Sequence, residues 1–152
     1  MRRASHVTGF AVGLAFVVLA QVAVAEFGID HRDEDAVSLG AEVYTAHCAS
    51  CHGDKLEGQT NWQVRDADGY LPAPPHDPSG HTWHHPDAQL FAITKYGTET
   101  IVGGDYRSNM IGFGDVLTDD EIWAVLAFIK STWPPRVISI HDEINAAYEA
   151  AK

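Results

Sequence analysis

Both cysteines of this 152-residue chain lie within four positions of each other, in the stretch "AHCASCHGD" at 46–54. A bridge between distant segments is therefore unavailable, and something other than a disulfide must help stabilise the fold. Cys48 and Cys51 are three apart, so on a helix they share a face. His52 follows at once. A zinc site needs four ligands and this segment offers three in an awkward cluster. A thioredoxin-like dithiol needs strands and a βαβ setting, and no alternating strand pattern of useful length occurs.

One chemistry uses all three residues. Two thiols at this spacing reach the vinyl groups on neighbouring rings of one porphyrin, and the adjoining imidazole turns to the iron. Cys-x-x-Cys-His is the attachment signature of a covalent c-type haem. Cys48, Cys51 and His52 are thus the expected cofactor-binding residues, for one haem c with its iron.

The first 25 residues read as a signal peptide rather than as part of the fold. Arg2 and Arg3 give a positive start, Phe10 to Ala20 is apolar, and Ala23-Val24-Ala25 has the small-x-small form of a cleavage site. The rival is an uncleaved anchor: Val7 to Ala25, interrupted by Gln21, is close to the length a span requires. Cleavage leaves 8 Lys+Arg against 21 Asp+Glu, a net charge of −13. Such a chain repels nucleic acid and anionic lipid, and would be steered toward a basic docking face.

Along the rest of the chain the apolar periodicity predicts four helices and long irregular connections. The first spans about Glu34 to Ala49, with Val37, Leu39, Gly40, Val43 and Tyr44 on one face and the cysteines near its end. Residues 53–85 carry turn chemistry, and a loop this long implies that something large holds it. The second helix is Pro86 to Tyr96, with Pro86 at its first position, Leu90, Phe91, Ile93 and Thr94 facing inward, and Gly97 as its stop. After a Gly-rich loop, Thr118 and Glu121 form a capping box for a third helix reaching Ser131, with Ile122, Val125, Leu126 and Ile129 as its buried stripe and Trp123 and Phe128 beside it. A last amphipathic helix, about Ser139 to Ala151, reads as peripheral. The domain layout is a leader at 1–25, an extension at 26–35, the main domain at 36–133 and a C-terminal helical extension at 134–152.

The chain resembles a class I cytochrome c. Gly40 and Tyr44 precede Cys48 at the spacing of that family's first-helix glycine and aromatic, and Phe128 and Val125 match the positions they pack against. The resemblance spans about Ala36 to Trp133. It implies an all-α fold, three core helices around a covalent haem with long loops, here with a peripheral C-terminal helix. It also implies an iron-binding thioether just before the last core helix, where "NMIGFGDVL" places Met110, 58 residues after His52. The family often has Pro where Ile111 stands. His52 and Met110 are then the iron ligands, a pairing that raises the reduction potential. The family's proline carbonyl, which accepts from the ligating imidazole, falls in "PAPPH" at 72–76, with Pro74 chosen over Pro72 and Pro75; His76 replaces the family's Leu.

Trp62, Arg65, Trp83 and Arg107 are candidates for the haem propionates, with Tyr70 and Tyr106 behind them. His76, His81, His84 and His85 form a second cluster. These imidazoles suit copper or zinc, and one could replace Met110 on the iron; the simpler reading is that they orient the loop by hydrogen bonds. The functional expectation is a periplasmic carrier, not an enzyme, that takes one electron from a respiratory donor to a terminal oxidase or reductase. Its partners would be redox proteins and the haem maturation machinery, with no nucleic acid and no stable membrane insertion once the leader is cleaved. The alternatives are a haem sensor or peroxidase-like enzyme with a labile sixth ligand, and a copper-handling protein that uses the His-rich loop.

Overall fold

Asp33 starts the first helix. Its carboxylate accepts from the backbone N–H groups of Asp35 and Ala36, satisfying donors that a helix start leaves free. In this computed structural model, which describes residues 28–152, helix α1 runs Glu34–His47, α2 Ala49–His52, α3 Asp87–Tyr96, α4 Thr98–Val102, α5 Asp119–Ser131 and α6 Pro135–Ala150, with one 3₁₀ turn at Thr82–His84. No strand occurs among the described residues. The leader expected at 1–25 lies outside them. No helix among them is long and apolar enough to cross a membrane.

The centre of the fold is the crossing of α1 and α5. Gly40 makes it. A Cβ on Gly40 would stand 2.0 Å from the Ala124 carbonyl oxygen and 2.8 Å from Phe128 Cβ, so only a residue without a side chain lets these backbones meet. Tyr44, Ile122 and Val125 are almost wholly enclosed there, and the Tyr44 and Phe128 rings lie 5.4 Å apart. Each such side chain is worth about 1.5–3 kcal/mol of burial, so this crossing outweighs any surface ion pair in holding the fold. The capping box at Thr118 and Glu121 forms with both reciprocal bonds, which fixes where α5 starts.

Four expectations need correction. The first helix does not run through to Ala49: Cys48 (φ −116°, ψ −40°) ends α1 and begins α2, so the chain turns at the first cysteine. Leu39 is 40% exposed rather than on the packed face. Pro86 is extended and precedes α3 rather than opening it. The last helix starts at Pro135, and it is not merely peripheral, because His141 at its middle is fully buried against Trp133 and the His85 carbonyl. The short α4 and the 3₁₀ turn have no apolar repeat to announce them; both are single turns imposed by their surroundings.

Candidate functional site

The segment after α2 reverses direction. Gly53 ends the helix with its N–H on Ala49 O, and the Tyr44 hydroxyl donates to Gly53 O at 2.9 Å, which ties the reversal back to α1. The loop then brings Pro74 over His52. His52 Nδ1 lies 2.8 Å from Pro74 O. A carbonyl can only accept, so Nδ1 carries the proton and Nε2 keeps a free lone pair. Burial pushes the His52 pKa down, partly opposed by the Pro74 carbonyl, and this favours the neutral imidazole that a metal takes.

Cys48 and Cys51 are both free thiols. Burial, with Cys51 beside it, pushes the Cys48 thiol up to about 11.

The Met110 segment is held by backbone. Gly97 at φ +84° turns the chain out of α3, and a Cβ there would stand 2.7 Å from Gly112 N. The last carbonyls of α3, which a helix end leaves without partners, accept from this segment: Phe113 N on Thr94 O at 3.0 Å and Gly114 N on Lys95 O at 2.9 Å. Met110 O accepts from Thr98 N at 3.2 Å, and Met110 N donates to Ser108 Oγ at 3.0 Å. Met110 is itself partly buried.

Three of the propionate candidates lie in the long loop, and Arg107 lies in the Gly-rich loop after α4. Trp62 stacks on His81 with ring centroids 5.2 Å apart. Arg65 donates to Gly69 O and lies over the Tyr106 ring. Trp83 packs at a tilt against His84 and points its N–H at Pro78 O, 3.4 Å away. Arg107 donates to Asp68 O and to the Tyr70 hydroxyl. Of the histidines, His81 and His85 meet edge to face at 5.3 Å, but no group of three or more His, Cys, Asp or Glu among the described residues is arranged to hold a metal ion. His76 does something else: its ring stacks on the His52 ring, with centroids 4.0 Å apart.

A family model for cytochrome c matches residues 37–133. The chain belongs to the cytochrome c family. Among curated relatives, this cytochrome is 28% identical over 97 residues to the cbb3-type cytochrome c oxidase subunit FixP of Sinorhizobium medicae (strain WSM419), a match covering 63% of this chain and 30% of that one. It is 28% identical over 130 residues to the nitrite reductase of Stutzerimonas stutzeri, covering 82% and 20%. The FixP subunit of Rhizobium meliloti (strain 1021) gives 27% over 97 residues, covering 63% and 30%. The chain thus spans less than a third of the length of these relatives. No solved structure gives a significant match.

Family membership brings a covalently bound haem c, and the donor set suits it. The two thiols are not joined to each other, and the Nε2 lone pair left by the Pro74 bond is the kind of donor a haem iron takes. Two residues at this site carry no sequence signal of their own. Thr82 hydrogen-bonds His76 Nδ1 at 2.8 Å, and Trp133 Nε1 donates to His76 O at 2.8 Å across 57 positions. The nearest clue is that His76 stands two residues after Pro74.

Proposed function

We propose that this cytochrome c is a one-electron carrier in the periplasm, with His52 and Met110 as the two axial ligands of its haem, and that it passes electrons from a respiratory donor to a terminal oxidase or reductase without turning over a substrate. The observation that carries this reading is the Pro74 carbonyl on His52 Nδ1, which leaves Nε2 alone free to coordinate. Bound haem supplies an iron that cycles between two oxidation states, and Met/His ligation sets it at a high potential.

The protein's part is to hold both ligands still. Pro74 orients the imidazole. The end of α3 holds the Met110 segment through backbone hydrogen bonds. With His52 and Met110 both holding the iron, no position would remain for peroxide or a gas. The oxidase subunit and the reductase among the relatives support a place in a respiratory chain. The net negative charge of the exported chain supports docking against a basic surface.

Visible spectra in both redox states, with and without carbon monoxide, test this. The oxidised protein should show the weak red absorption of iron–thioether ligation, and the reduced protein should ignore carbon monoxide. Met110→Ala should lower the potential and admit the gas. Unchanged potential and no gas binding in that variant would refute Met110 as ligand. Rapid gas binding by the unaltered protein would favour a sensor or peroxidase-like enzyme.

A further inference from the structure

We propose that His76 is a positioning residue that sets the plane of the His52 imidazole, and that Thr82 holds His76 in place to do so. The proposal rests on reading His52 as an axial ligand of the haem.

One hydrogen bond does not fix a ring. The Pro74 carbonyl pins Nδ1 of His52, but the imidazole can still tilt about that N–H···O line. The missing constraint is a flat surface against its face. His76 supplies it: the two rings are 4.0 Å apart and within 22° of parallel. His52 cannot leave its plane without driving into His76.

A guide must itself be held. His76 is fixed from several sides. Its backbone N–H donates to Leu56 O at 2.8 Å, and its carbonyl accepts the Trp133 indole at 2.8 Å. Its Nδ1 shares a 2.8 Å hydrogen bond with the Thr82 hydroxyl. The Tyr44 ring stands edge-on to it at 6.3 Å. Thr82 is buried, and among the described residues its hydroxyl otherwise reaches only Pro75 O, at 3.5 Å. The 3₁₀ turn at Thr82–His84 therefore has a job in the haem site: it puts one hydroxyl where it stops the guiding ring from rotating.

A leucine at 76 would fill the space and do neither thing. It has no plane to lay on His52, and it leaves the Thr82 hydroxyl without its main partner. The arrangement needs a flat side chain with a ring nitrogen, which is what His76 is.

The plane of an axial imidazole decides how unpaired spin spreads over the four quadrants of a ferric haem. Proton NMR of the haem methyl groups reads that distribution directly. The measurement is made on the oxidised holoprotein with cyanide added. Cyanide is cylindrical and takes the position opposite His52, so the methyl shifts then report the His52 plane alone, whatever residue stood there before. Failure of the Met110 assignment therefore leaves this test intact.

His76→Phe keeps a flat ring on His52 but loses the Thr82 bond, so it should disturb the four methyl shifts about as much as Thr82→Val and less than His76→Leu. His76→Leu should reorder or compress them. Thr82→Val alters no atom that touches His52, yet it should shift them in the same sense by freeing His76 to turn. Wild-type order and spread in both His76→Leu and Thr82→Val would overturn the proposal. So would a His76→Phe spectrum as disturbed as that of His76→Leu. Should Thr82→Val fail to fold, the two substitutions at 76 decide between them.

Discussion

Gly40→Ala probes the close approach on which the fold is built. The new Cβ would sit 2.0 Å from Ala124 O and 2.5 Å from Ala124 C, both backbone atoms that no side-chain rotation can move. Real Cβ contacts begin at about 3 Å, so α1 and α5 must separate by roughly 1 Å. A gap of that size forfeits up to about half the attraction of each atom pair along the crossing, and overpacking of this kind costs about 3 kcal/mol. Alanine returns about 1 kcal/mol of helix propensity. The net loss is about 2 kcal/mol, or roughly 8 °C in Tm for a chain of this size. Denaturant unfolding of the holoprotein followed by far-ultraviolet dichroism checks it, with the m-value expected to stay constant. Ala124→Gly should not rescue the variant, because the obstacle is the carbonyl oxygen and glycine keeps it. A neutral or stabilised Gly40→Ala, or a rescue by Ala124→Gly, would show that the crossing is looser than this geometry requires.

Two further predictions concern buried polar groups beneath α6. Lys130 Nζ meets Asp142 Oδ1 at 2.6 Å, with the lysine side chain 4% exposed and the aspartate 49%. Asp142→Ala should cost about 1–3 kcal/mol by leaving a buried ammonium unpaired, with water reaching the aspartate's side and softening the loss. Lys130→Met should stay within about 1 kcal/mol of wild type, since it removes the charge and keeps the volume; the opposite ranking in urea would refute this. His141 donates from Nε2 to His85 O at 3.0 Å, and no group among the described residues partners its Nδ1. Burial first, and then Lys130, depress its pKa below the ordinary 6.5, while Asp87 opposes. The unfolded chain therefore binds the proton first as pH falls. Stability should be full above 6.5 and be lost as pH drops from there toward the depressed folded value. His31, His81 and His85 are also depressed by burial and act in the same sense. Unfolding midpoints at stepped pH should give a positive slope that His141→Gln makes shallower; an unchanged slope would mean that His141 does not titrate on unfolding.

What the chain itself announced was local. Cys48, Cys51 and His52 specify their cofactor by adjacency, because the chemistry depends on three residues in five positions. Thr118 and Glu121 show where α5 begins, because a capping box closes within one turn. Gly40, Tyr44, Val125 and Phe128 mark the helix crossing through helical spacing on each partner. Tertiary structure decided what depends on residues far apart in the chain. His76 looked like one of several loop histidines until Leu56, Thr82 and Trp133 fixed it against His52. The helix that carries His141 read as peripheral, and nothing in the sequence pointed to the enclosure of that residue by Trp133, His85 and Asp87. The turn at Cys48 breaks a helix whose periodicity continues through it. Periodicity records which face of an element is apolar; it carries no information about which distant backbone group will lie opposite a given ring, and that pairing is what gives each histidine its surroundings.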